Sequence, residues 1–165
     1  MTQQERIDGF IKAITSYGGD EYPSYDGFFT DENKSLYKQW LARQPKASDV
    51  TLHRGYTFDE QYIRLDLLSL GDIMTKDSLT QDDMPSFTTQ QVRASMYMNE
   101  YGEITLDGSV RVLFVIRTAG KSFVDITNHS FYKEEKEYKC TDDVRLKVTG
   151  LGKRGGYWLI NLEEV

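Results

Sequence analysis

The order of its two hydrophobic periodicities constrains this chain most: helix-spaced apolar residues come first and strand-like runs follow, without alternation. Ile7, Phe10, Ile11 and Ile14 fall at i, i+3, i+4 and i+7, one apolar stripe, and Gly18-Gly19 are expected to stop that helix. A second helix is expected to open at Thr30 as N-cap, with Asp31 and Glu32 favourable in its first turn. It carries Leu36, Trp40 and Leu41 inward and ends at Pro45, and the intervening EYPSYDGFF reads as a loop. Beyond it, 50–53 reads as a short strand, 62–70 as a further helix, and QQVRASMYM as a short helix with Val92 and Met96 on one side. Strands are then expected at 110–116, 123–126, 136–140, 144–148 and 157–162, separated by Gly and Asp/Asn turns. A doubly wound parallel sheet would interleave helices and strands, so the expectation is α+β. One domain over 1–165 is expected, helical over 1–49 and strand-rich over 50–165.

Composition narrows the function classes. Hydrophobic residues at 39% and charged residues at 28% describe a globular chain rather than a disordered one. A net charge of −6 argues against sequence-blind nucleic-acid binding, while leaving room for a local basic patch. The single cysteine, Cys140, excludes an internal disulfide and a cysteine metal cage, and with only His53 and His129 beside it no metal is expected. The start, MTQQERIDGF, lacks a basic segment followed by an apolar run, and no apolar stretch reaches 18 residues. The expectation is a cytoplasmic monomer with no membrane partner.

Three short stretches carry chemistry. In LHRGY, Arg54 ends a predicted strand, where a guanidinium fork can hold a phosphate, and Gly55 after it lets a ligand approach the backbone. In MPSFTTQ, Ser86 offers a hydroxyl that can orient a carboxylate, and Thr89 can cap the next helix. In FYKEEKEYKC, strand pleating would put Glu135 and Glu137 on one face and Glu134 and Lys136 on the other. Two carboxylates on one face repel, which stability alone gives no reason to select.

Taken in order, Arg54, Ser86-Phe87-Thr88 and Glu135-Lys136-Glu137 resemble the mono-ADP-ribosyltransferase family of the arginine–serine–glutamate class. That family has a strand ending in Arg-Gly, a Ser-Thr-Ser strand and a later Glu-x-Glu. The stretch GDIMTKDSLTQDDMPSFTT, the placement of Ala94 and Tyr97, and VRVLFVIRTAGKSFVDI extend the resemblance from about residue 50 onward, and Asn33 to Leu36 is similar to the family's Asn-x-x-Leu helix. Two departures stand out: Ser-Phe-Thr replaces Ser-Thr-Ser, and Tyr-Lys-Cys follows the glutamates where Val-Leu-Ile is common. The short length is similar to that of bacteriophage and bacterial-toxin members.

The resemblance implies N-terminal helices packed on two roughly perpendicular, antiparallel-rich sheets, with NAD as substrate and no metal. It implies cleavage of the nicotinamide–ribose bond and transfer of ADP-ribose to a macromolecular acceptor, protein arginine first. Transfer to a nucleic acid, hydrolysis as an NAD glycohydrolase, and a non-catalytic binding module are the alternatives. The implied roles are Glu137 on the ribose 2′-hydroxyl, Ser86 steadying Glu137, Arg54 on the pyrophosphate, and the backbone at His53 or Gly55 on the carboxamide. Tyr97, or less favourably Phe87, stacks on nicotinamide, and Glu135 faces the acceptor.

Overall fold

The computed structural model describes residues 1–16, 23–100 and 108–165, so the Gly18-Gly19 stop lies outside the described residues. Helix α1 (Gln3–Thr15) opens on a capping box. The Thr2 hydroxyl accepts from the Glu5 N–H at 3.1 Å, and the Glu5 carboxylate reaches back to the Thr2 backbone. Helix α2 (Asp31–Arg43) is capped by Thr30 as expected, with its hydroxyl accepting from Asn33 N–H at 3.1 Å. It ends at Gln44, which is extended because Pro45 follows. The two helices pack together and bury Ile7, Phe10, Ile11, Tyr37, Trp40 and Leu41 against Val124 and Ile126 of the sheet side. Between them, Pro23–Phe28 forms a 3-10 helix where the sequence suggested an irregular loop.

The strands are β1 (Ser48–Asp59), β2 (Ile73–Thr75), β3 (Ser86–Thr88), β4 (Ser109–Ala119), β5 (Phe123–Asp125), β6 (Glu137–Cys140), β7 (Arg145–Arg154) and β8 (Tyr157–Glu164). They join in the order β2-β7-β8-β4-β1-β3-β6-β5, antiparallel throughout except for β4 against β8. The two halves of this sheet, β2-β7-β8-β4-β1 and β3-β6-β5, meet through a single registered pair, His53 opposite Thr88. The fold is thus the expected α+β arrangement, with the main core formed by Leu52, Phe58, Phe87, Phe114, Phe123, Ile160 and their neighbours.

Three expectations change. The strand read at 50–53 runs to Asp59, because Leu52 through Gly55 are buried in succession and no alternation marks the strand's length. The helix read at 62–70 is only a 3-10 turn at Leu65–Leu67. Leu65 alone of that stretch reaches full burial, Leu67 and Leu70 face outward, and the Tyr62 hydroxyl is tied to the Asp77 and Thr80 carbonyls at 2.8 and 3.0 Å. Helix α3 (Gln91–Glu100) forms as expected, but Val92 and Met96 are its outer face, 73% and 50% exposed. Its inner face is Ala94 and Met98, packed with Leu113.

That inner face explains Gly55. A Cβ built there would stand 1.8 Å from the Ala94 carbonyl oxygen and 2.8 Å from its carbon, both α3 backbone. The close approach this glycine permits is therefore that of a helix. Gly55→Ala is expected to push α3 off β1 and cost roughly 1–3 kcal/mol as overpacking. At about 2–4 °C per kcal/mol for a chain of this size, thermal melting should show a loss of several degrees. An unchanged midpoint would mean that α3 is not seated on β1 in this way.

Candidate active site

Strands β1, β3 and β6 lie side by side, so their registers decide which side chains meet. His53 faces Thr88 across β1–β3, and Ser86, Phe87 and Thr88 face Lys139, Tyr138 and Glu137 across β3–β6. Alternation along β3 and β6 then sends Phe87 to the core and gathers Ser86, Glu137 and Lys139 on the other face. The Ser86 hydroxyl donates to Glu137 Oε2 at 2.8 Å, and the Lys139 ammonium lies 3.2 Å from the same oxygen. Glu137 and Lys139 are each only 2% exposed. A carboxylate so far from water is tolerated where a counter-charge and hydrogen bonds replace its hydration.

Glu135 reaches the same cleft by a different route from the one expected. It closes a 3-10 turn, Lys133–Glu135, and Lys136 follows in the left-handed region at φ 50°, so β6 begins only at Glu137. The turn, and not strand pleating, brings the two carboxylates together. Thr88 secures it: its hydroxyl donates to the Glu135 carbonyl at 2.7 Å and accepts from the Gln90 N–H at 3.1 Å. Glu135 Oε1 accepts from the Tyr97 hydroxyl at 2.9 Å and lies 3.8 Å from Arg93 Nη1. Burial raises the Glu135 pKa, with Glu137 adding to the rise while Tyr97 and Arg93 oppose it.

Arg54 is almost buried, and its Nε and Nη1 donate to the carbonyls of Leu79 (2.9 Å) and Ser86 (3.1 Å). Its guanidinium carbon lies over the Tyr56 ring, 4.4 Å from the centroid. The fork expected to serve a phosphate thus also braces the segment that carries Ser86. The ring of His53 is buried, burial lowers its pKa, and its Nδ1 has no hydrogen-bond partner among the described residues. Phe87 borders the cleft, but its ring is 1% exposed and meets Phe123 edge-on at 5.0 Å, a core position that leaves little surface for stacking on a ligand.

These residues line a cleft of about 730 Å³. Arg54, Gly55, His53, Ser86, Glu135, Glu137 and Tyr97 all open on it. The sequence reading missed Lys139, Phe29 and Lys34. Lys139 had a signal, since it stands two residues beyond Glu137 on the same strand, where the resembled pattern is apolar. Phe29 enters from the loop before α2, stacked on Phe10 at 5.5 Å. Lys34 pairs with Asp83, which also meets Lys76 at 3.0 Å, and these partners, Lys34 first, hold the Asp83 carboxyl down at about 2. Asn33 serves the frame: its side chain donates to the Phe28 carbonyl and accepts from Arg6, both at 2.8 Å. No group of three or more metal-ligating side chains is assembled among the described residues, and no described helix is long and apolar enough to cross a membrane.

No family model matches the chain, and no curated protein matches it by sequence. Solved structures do match. The fold is that of the ADP-ribosyltransferase toxins. Vis, from Vibrio splendidus, superposes with a TM-score of 0.65 over 99% of this chain and 72% of its own, at 18% identity, and has also been solved with agmatine. Plx2a, from Paenibacillus larvae, gives 0.62 over 100% of this chain and 87% of its own at 13% identity. Exoenzyme S from Pseudomonas aeruginosa, solved with human 14-3-3 protein beta and carba-NAD, gives 0.52 over 98% and 67% at 14% identity.

The bracing role of Arg54 is open to direct test. A lysine has one compact donor group and cannot span the carbonyls of Leu79 and Ser86 together. Arg54→Lys should therefore leave one buried carbonyl unsatisfied and cost roughly 1–3 kcal/mol. The expected outcome is a melting midpoint lower by several degrees in the absence of any ligand. A midpoint within a degree of the parent would reduce the two hydrogen bonds to incidental contacts.

Proposed function

We propose that this chain cleaves the nicotinamide–ribose bond of NAD and transfers ADP-ribose to a guanidinium acceptor, protein arginine in the first instance. The observation that carries the proposal is the Ser86–Glu137 hydrogen bond of 2.8 Å, at a buried carboxylate opening on a cleft of about 730 Å³. That volume lies in the range of ligand pockets, and basic, acidic and aromatic groups converge on it. The fold shared with Vis, Plx2a and exoenzyme S supports the reading, as do the carba-NAD and agmatine, itself a guanidine, in two of those structures.

As nicotinamide departs, positive charge grows on the ribose carbon, as in glycoside hydrolysis. Glu137, fixed by Ser86, is the preorganised negative group for that charge and hydrogen-bonds the ribose 2′-hydroxyl. Arg54 contributes positive charge toward the pyrophosphate while bracing Ser86, and the backbone at His53 or Gly55 holds the carboxamide. Tyr97 borders the nicotinamide side with its hydroxyl on Glu135, and Phe87 supports from the core. Glu135 receives the proton as the acceptor nitrogen forms its bond to the ribose carbon.

The test is nicotinamide release measured beside label incorporation, with NAD and agmatine, an arginine peptide, or RNA as acceptor. Glu137→Gln should lower both readouts by roughly 10²–10³-fold. Glu135→Gln should cripple incorporation into a guanidine while sparing hydrolysis, since water needs less help against so reactive a carbon. Incorporation into RNA alone would replace the acceptor class, and a Glu137→Gln variant above a third of parental activity would remove Glu137 from its role. A pH series adds a further expectation. Because the Glu135 pKa is raised, its proton returns at a higher pH than for an ordinary glutamate. Transfer should therefore fail on acidification before nicotinamide release does, and coincident acid limbs would count against Glu135 as the acceptor-side base.

A further inference from the structure

We propose that Lys139 is a positioning residue for the Ser86–Glu137 pair, an inference that rests on reading Glu137 as the group beneath the ribose. The ammonium has three hydrogens and meets three acceptors: Ser86 Oγ at 2.8 Å, the Met84 carbonyl at 3.1 Å and Glu137 Oε2 at 3.2 Å. It is as buried as the carboxylate it faces. Because the Ser86 oxygen accepts from Lys139, its single proton is directed to Glu137 Oε2 at 2.8 Å. The hydrogen bonds therefore run one way, from lysine to serine to glutamate, and fix the rotamers of all three.

Two effects follow. Before substrate enters, Lys139 supplies the counter-charge that a buried Glu137 needs, so the carboxylate is already compensated and aimed when positive charge develops on the ribose. Through the Met84 carbonyl, the same ammonium ties the cleft wall at Asp83–Pro85 to that carboxylate. The resembled pattern fills this position with an apolar side chain, which would leave Glu137 without this counter-charge and Ser86 without this donor.

The experiment compares Lys139→Met, which keeps an unbranched side chain one atom shorter and without charge, with Lys139→Ala, which leaves space for a small amine. In steady-state NAD cleavage, Lys139→Met should lower kcat on the order of 10²-fold while KM for NAD stays within about threefold. Added propylamine should restore at least about tenfold of the lost kcat to Lys139→Ala and nothing to Lys139→Met. Parental kcat in both variants, or a joint loss of kcat and affinity that amine does not repair, would overturn the positioning role.

A melting cycle over Glu137→Gln, Lys139→Met and the double variant gives a readout independent of catalysis. Removing one partner strands a buried charge and removing both does not, so the two single losses in Tm should exceed the loss in the double variant. Losses that simply add would overturn the pairing. Should the parent protein release no nicotinamide, the proposed activity fails, and the melting cycle alone decides whether Lys139 holds Glu137.

Discussion

Everything in the cleft depends on a seam one residue pair wide. The half-sheet that carries Ser86 and Glu137 is in registered strand pairing with the half that carries Arg54 only where His53 stands opposite Thr88, among the described residues. A single pair cannot by itself fix the angle or slide of one half against the other. Arg54, next to that pair, supplies what the ladder lacks by donating to the carbonyls of Leu79 and Ser86. The planar guanidinium suits this task, because its donors diverge at fixed angles and its face rests on Tyr56. Its buried charge is thereby surrounded by carbonyl oxygens and an aromatic ring in place of water.

Helix α3 reinforces the seam from the other side. It lies on β1 at Gly55 so closely that no side chain fits between, and it presents Arg93 and Tyr97 to Glu135. The Arg-Gly dipeptide thus does two mechanical jobs in succession, with the arginine bracing β3 and the glycine seating α3. Both place ligand-facing groups around the cleft without requiring that the dipeptide itself touch a ligand.

Much of this was legible in the sequence, for reasons that vary by element. Thr30 and Pro45 bounded α2 because caps and proline act locally, and β4 and β8 were visible as apolar runs. The length of β1 was not legible, since α3 covers one face and the core the other, which erases alternation around Arg54 and Gly55. The 62–70 segment misled because its leucines suggest a helix face, whereas only Leu65 is buried in the core and Leu68 packs at its edge. In the cleft, Arg54, Ser86, Glu135 and Glu137 do converge, but the pleating argument for the two glutamates fails at Lys136, whose left-handed backbone breaks the strand. Lys139 was visible only as an oddity among apolar neighbours, because its meaning depends on the β3–β6 register, which no local pattern encodes.

The break at Lys136 matters chemically, because it gives the two carboxylates different surroundings. On an uninterrupted strand, Glu135 and Glu137 would share one environment, and each would discourage the other's ionisation. Instead Glu137 begins β6, deep beneath the cleft, with a hydroxyl and an ammonium on one of its oxygens. Glu135 stays on the turn, partly exposed, with a phenol and a more distant guanidinium as neighbours and a raised pKa. One carboxylate is fixed between a hydroxyl and an ammonium, while burial leaves the other taking up a proton more readily than an ordinary glutamate. Pairs of acids whose environments differ in this way commonly divide electrostatic stabilisation from proton transfer. Thr88, which keeps a hydroxyl where the Ser-Thr-Ser pattern has its second serine, maintains the division by hydrogen-bonding the turn at the Glu135 carbonyl.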